Sequence, residues 1–124
     1  MKMIQDTADP EFHRLRSFSA GRLTIGERDY ADGVIVAGAT LLEERLPPAA
    51  AGLSRGHSEL ILELEPEIVL VGTGQRQIFP DREFLRIFLS RGVGVEVMDT
   101  GAACRTYNVL LAEGRHVVAA LLVD

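Results

Sequence analysis

Two short polar stretches, each ending an apolar run, hold the residues best suited to bind something. Gly72-Thr73-Gly74-Gln75 follows Ile68-Val69-Leu70-Val71, and Asp99-Thr100-Gly101 follows Val95-Glu96-Val97-Met98. Closely spaced glycines reach backbone angles that turn successive N–H groups toward one point, the geometry of an anion-binding nest. Gln75, Arg76 and Gln77 add side-chain donors to the same loop. A helix starting at Thr100 would bring the positive end of its dipole to the neighbouring strand end, which also suits an anion. Arg105 and Asn108 lie three residues apart and so share a face of that helix. The candidate ligand- or partner-binding residues are therefore Gly72, Thr73, Gly74, Gln75, Thr100, Arg105 and Asn108. Each also has a structural reading: a tight turn for the glycines, an N-cap for Thr100, a solvated Arg105, and an Asn108 amide tying the helix to a neighbouring segment.

The spacing excludes some familiar chemistries. A phosphate loop needs Gly-x-x-x-x-Gly-Lys-Ser/Thr and a dinucleotide fingerprint needs Gly-x-Gly-x-x-Gly opening into a helix; the Gly72 turn continues as neither. Cys104 lies beside Ala103, Tyr107 and Leu111 and reads as a small buried hydrophobe. A nucleophilic role would need a base nearby, and none is local. His13, His57 and His116 show no ligand spacing with one another or with Cys104, so no metal site is expected. The acidic pairs Glu43-Glu44 and Glu63 with Glu65 read as solvated charge, and no catalytic residue or cofactor is assigned.

Strands and helices must position these loops. Leu23-Thr24-Ile25 and Val34-Ile35-Val36, with turn chemistry between them, predict an N-terminal β-meander. Residues 38–51 read as mostly irregular around Pro47-Pro48, with Thr40-Leu41-Leu42 able to form a short strand. His57, Leu60, Ile61 and Leu64 form a helical stripe that starts near Ser54 and ends by Pro66. A second helix begins at Asp81, buries Phe84, Ile87 and Phe88 and stops at Gly92. A third is capped by Thr100, buries Ala103, Tyr107, Leu110 and Leu111 and stops at Gly114. With apolar strands at 68–71, 95–98 and 116–123, the order strand, helix, strand, helix, strand predicts an α/β fold. It is a single compact three-layer domain with a mixed, largely parallel central sheet flanked by helices. The domain is expected over 19–124, and 1–18 reads as an N-terminal arm.

Composition narrows the partners. The chain has 124 residues, a net charge of −5 and 25% charged residues, with its basic residues scattered, so it lacks the footprint of a nucleic-acid binder. One cysteine gives no intramolecular disulfide, which fits a reducing cytoplasm. Asp6 and Asp9 replace the apolar core of a signal peptide, and the longest apolar run falls far short of the roughly 20 residues that span a bilayer, so no membrane insertion is expected.

Taken in order, Gly72-Thr73-Gly74, Met98-Asp99-Thr100, Ala103-Cys104, Thr106-Tyr107-Asn108, Glu113-Gly114-Arg115 and Ala119-Ala120-Leu121 carry a resemblance. Over residues 21–123 the chain resembles a family of small α/β proteins that includes a mitochondrial respiratory complex I (NADH:ubiquinone oxidoreductase) assembly factor and an adipogenesis-associated protein. The resemblance implies a compact three-layer fold and a non-enzymatic role in building a membrane complex. It transfers no catalytic residue, and the acidic start of this chain gives no mitochondrial presequence. The leading expectation is a protein-interaction or assembly module whose partners include membrane-complex biogenesis proteins. A homodimer through a sheet edge or helix is compatible with the pattern. The second expectation is a binder of small anionic ligands at the Gly72-Thr73-Gly74 turn and facing helix start, and the third is an enzyme acting through Cys104.

Overall fold

The computed structural model describes residues 15–19 and 21–124. A first small sheet is built from β1 (Leu15–Ser19), β2 (Arg22–Ile25) and β3 (Arg28–Tyr30), antiparallel throughout. The chain then enters the main sheet with β4 (Val34–Ala37) and β5 (Thr40–Glu43), and a short 3-10 turn at Ala50–Gly52 leads to helix α1 (Arg55–Leu62). From there β6 (Ile68–Thr73), α2 (Arg82–Ser90), β7 (Gly94–Met98), α3 (Thr100–Ala112) and β8 (Val117–Leu122) alternate as expected.

The main sheet runs β5-β4-β8-β6-β7, with β6 parallel to both β7 and β8, and β4 antiparallel to β8 and β5. Only β4 therefore runs against the other four strands, which gives the mixed, largely parallel sheet. The last strand in sequence is central in space. All six residues of β8 are buried, as a strand covered on both faces requires.

The two faces carry separate cores. On one, Phe84 and Phe88 of α2 meet edge to face at 5.3 Å and pack with Ile61, Val69, Val71, Val118 and Leu122. Ser58 of α1 donates to the Phe84 carbonyl at 2.9 Å, pinning the two helices together. On the other, Tyr107, Ala103 and Cys104 of α3 pack with Leu70, Ala119 and Leu121 and also with Leu15, Leu23 and Ile25 of the small sheet. The result is three layers, and burying a side chain as large as Phe84 contributes about 2–3 kcal/mol.

Helix ends follow the sequence with two adjustments. Ser54 caps α1, and its backbone N–H donates to His57 Nδ1 at 3.0 Å, so His57 completes a capping box and is only half-buried on the apolar stripe. Asp81 caps α2 by accepting from the Glu83 amide, and Gly92 ends it at φ +71°. At α3 the cap is Asp99, whose Oδ1 accepts from the Ala102 amide at 2.8 Å; Thr100 is the first helical residue instead. The stretch 38–51, read as mostly irregular, holds strand β5, paired to β4 through Val34–Glu43, Ile35–Leu42 and Val36–Leu41. The predicted meander is divided between the two sheets. Leu15 and Phe18, assigned to the N-terminal arm, belong to β1, while residues 1–14 lie outside the described residues.

Candidate functional site

The parallel pairing of β6 and β7 brings the Gly72 turn and the start of α3 to one edge of the sheet. Contact there is close. A Cβ added to Gly72 would lie 2.9 Å from both Cα and Oγ1 of Thr100, so glycine is what lets the β6 backbone touch α3. The buried Thr100 hydroxyl donates to the Leu122 carbonyl at 2.6 Å and accepts from the Gly74 amide at 2.7 Å. The Thr100 amide in turn donates to the Gly74 carbonyl at 2.8 Å. Gly74 sits at φ +98°, and the Gln75 amide donates to the Asp124 carbonyl at 3.3 Å.

The amides of Gly74 and Gln75 are thus spent on the protein's own acceptors. Thr73 has the same inward character: its buried hydroxyl donates to the Arg76 carbonyl at 2.5 Å and accepts from the Ile78 amide at 3.0 Å, which folds the loop back on itself. Gln77 Nε2 donates to the Val97 carbonyl at 2.9 Å, fastening the loop to β7. Gln75, Arg76 and Gln77 are exposed.

Asn108 is separated from this cluster by function as well as by sequence. Its Oδ1 accepts from the Leu15 amide at 3.2 Å and its Nδ2 donates to the Leu15 carbonyl at 2.5 Å, so the side-chain amide pairs with β1 as another strand would. Arg105 is exposed, and its guanidinium folds toward the start of α3, with Nη1 3.6 Å from where a Gly101 Cβ would stand. Of the sequence-derived candidates, Gly72, Thr73, Gly74, Gln75, Thr100 and Arg105 share one end of the sheet and Asn108 serves another contact.

Burial pushes the Cys104 thiol up to about 11, outweighing the opposing effect of the Arg105 charge, and the side chain is 4% exposed. A thiol so held is protonated at neutral pH and is not a nucleophile there. Tyr107, treated in the sequence as a core residue, has a polar task too: its hydroxyl accepts from the Gly38 amide at 2.9 Å, linking α3 to the turn between β4 and β5. Burial raises its pKa, and the Gly38 hydrogen bond partly opposes that rise.

At the opposite end of the parallel strands a cleft of about 310 Å³ opens between Leu64, Leu111, Val117 and the Gly38 turn, rimmed by Arg115 and His116. Arg115 Nε pairs with Glu67 at 3.1 Å, and Glu67 also accepts from the His116 amide. The His116 amide and, secondarily, the Arg115 guanidinium hold the Glu67 carboxyl below its usual range. Sequence reasoning also passed over Ile78 and Phe79, which are 41% and 69% exposed in the loop after β6. Their signal was an apolar pair outside any strand or helix, set between Gln77 and Pro80.

Two layers of helix about a mixed sheet, with a small antiparallel sheet against α3, define a class of compact α/β domains with known members. A Bordetella pertussis protein described as an Mth938-like domain has this fold in solution, with a TM-score of 0.80 and 30% identity, covering 100% of this chain and 93% of that one. Residues 15–122 match the family described as "Protein of unknown function (DUF498/DUF598)", and the chain belongs to that family. A protein of Francisella tularensis named "13 kDa major membrane protein" is 31% identical over 104 residues, covering 82% of this chain and 84% of the relative. The Bos taurus protein named "NADH dehydrogenase [ubiquinone] 1 alpha subcomplex assembly factor 3" is 48% identical over 62 residues, covering 50% of this chain and 34% of the assembly factor. The matched segment thus spans about a third of that assembly factor's length. Among the described residues no helix is long and apolar enough to cross a membrane.

Proposed function

We propose that the chain is a non-enzymatic protein-interaction module with an assembly-factor-like role, contributing to the biogenesis of a multi-subunit, membrane-associated complex from the cytoplasmic side. The observation that carries this reading is the 48% identity over 62 residues with an assembly factor. Two features of the site support it. The backbone donors that would make an anion nest at the Gly72 turn are engaged by Thr100 and Asp124, and Cys104 is held as a buried neutral thiol. What the sheet end offers outward is side chains on a loop fastened to the body by Thr73 and Gln77, which is how a rigid scaffold presents a recognition surface.

Affinity capture of the tagged chain from detergent-solubilised extract of its own cells, with quantitative mass spectrometry, tests the reading. Reproducible enrichment of subunits or biogenesis proteins of one complex is expected. Recovery of the chain with a stoichiometric small anion and no protein would refute it.

A further inference from the structure

We propose that the outer edge of β7 is a strand-addition site for an extended partner segment that alternates apolar and polar residues and sets a lysine or arginine opposite Glu96. The proposal rests on the interaction-module reading and locates it. β7 is the last strand of the main sheet and is paired on one side only, to β6. The pairing fixes which of its backbone groups are free. The Ile68 amide donates to the His116 carbonyl at 3.4 Å, on the β8 side of β6, so Val69, Val71 and Thr73 address β7. In register with them, Gly94, Glu96 and Met98 turn their N–H and C=O groups toward β6, and those of Val95 and Val97 point outward. Two contacts agree. The Thr73 hydroxyl lies 3.3 Å from the Met98 carbonyl on the inner side, and Gln77 Nε2 donates to the Val97 carbonyl at 2.9 Å from the outer side.

A row of outward N–H and C=O groups is a template for another strand, and the Gln77 side chain covers part of it. The Val95 N–H and C=O and the Val97 N–H have no partner among the described residues. Neighbouring side chains define what pairs there. Val95 and Val97 are half-buried and face α2, in the core that Leu85 borders. One flank of α2 faces α1, because Glu83, Arg86, Ile87 and Ser90 share a shallow depression with Arg55. Helical spacing puts Leu85 and Leu89 on the other flank, over the β7 edge against which α2 packs, and Leu89 is 66% exposed. An incoming strand would lay its apolar side chains along this row. On the opposite face Glu96 is exposed and forms no ion pair among the described residues. The Cβ of a residue directly across from it would stand about 5 Å away, where Lys or Arg is favoured and an acid disfavoured. The same geometry disfavours a second copy of the chain: full antiparallel pairing of two β7 edges sets Glu96 against Glu96 at the close, non-hydrogen-bonded pair.

The test is NMR titration of the isotope-labelled full chain with short synthetic peptides. The first has a central Val-Lys-Val, the second replaces that lysine by Glu, and the third is the first N-methylated at its central residues, which removes the backbone donors. Saturable shifts of the Val95, Glu96 and Val97 amides are expected with the first peptide, with binding about fivefold weaker for the second and none for the third. In Glu96→Lys the preference between the first two reverses, and Gln77→Ala, which uncovers the Val97 carbonyl, binds the first about threefold more tightly. Both side chains are exposed, and the amide spectrum shows that each variant is folded. Equal binding of the N-methylated peptide, a preference unchanged in Glu96→Lys, no saturable binding of any peptide, or shifts centred on Thr40 and Leu42 of β5 would overturn the proposal. So would a concentration-dependent dimer whose amide shifts fall on Val95 and Val97. In extract, Val95→Pro removes an outward N–H, which edge strands tolerate, and should lose the captured partner, as should Glu96→Lys. Protein capture at the unsubstituted level by both variants would overturn this edge and leave the interaction reading standing.

Discussion

Thr100 grips Gly74 twice: its hydroxyl accepts the Gly74 amide at 2.7 Å, and its own amide donates to the Gly74 carbonyl at 2.8 Å. The same hydroxyl donates to Leu122, so one side chain joins the ends of β6 and β8 to the start of α3. Thr100→Val keeps the shape and leaves a buried donor and a buried acceptor without partners. Each unsatisfied group costs about 1–3 kcal/mol, so urea unfolding should show a loss of roughly 2–6 kcal/mol, with Thr100→Ser recovering most of it.

Gly72 is the other half of that joint. Gly72→Ala drives a methyl to within 2.9 Å of the Thr100 backbone, and overpacking of this kind costs about 1–3 kcal/mol. Gly94→Ala is the control, since its nearest neighbour would be the flexible Ile68 side chain at 3.8 Å. Thermal unfolding of the two variants should separate them, with only the first clearly destabilised.

Asn108 holds the small sheet to α3 through both polar atoms of its amide. Asn108→Leu should therefore release β1 locally, at a cost of about 1–3 kcal/mol for the unpaired Leu15 groups. Hydrogen exchange by NMR would show the Leu15 amide exchanging faster while Leu70 and Ala119 in the central strands keep their protection.

Cys104 sets a pH dependence with a definite sign. The folded pKa, about 11, lies above the ordinary thiol value of 9.0, so the fold favours the neutral form. The resulting stability is fully present below pH 9 and is lost as pH rises from 9 through 11. In Cys104→Ala that loss disappears, so the stability gap between the two proteins should narrow across this window. A gap independent of pH in thermal unfolding would contradict the buried neutral thiol.

The parts of this architecture that local chemistry controls were legible in the sequence. Ser54, Asp81, Gly92 and Gly114 mark helix ends because capping depends on a few adjacent residues, and the stripe Phe84, Ile87, Phe88 gives the buried face of α2 directly. Thr100 was read as a cap because it and Asp99 are both good caps one residue apart; only the position of the Ala102 amide decides between them. Strand β5 was obscured by its brevity and by the nearby Pro47-Pro48, and its order comes from pairing with β4. Asn108 to Leu15 and Tyr107 to Gly38 are contacts across 93 and 69 residues, for which no local pattern exists. The adjacency of the Gly72 turn and the α3 start followed from the parallel sheet. That Thr100 fills the space between them depends on atomic contact, which residue spacing does not encode.

The central claim is that this sheet end closes on itself through backbone groups and recognises a partner through the side chains outside. Titration of the isotope-labelled chain with inorganic phosphate, following backbone amides by NMR, tests it most directly. The account predicts no saturable shift of the Gly74, Gln75 or Thr100 amides, which the protein's own acceptors already engage. Saturable phosphate-dependent shifts centred on Gly74 and Thr100 would contradict it and establish an anion site at the turn.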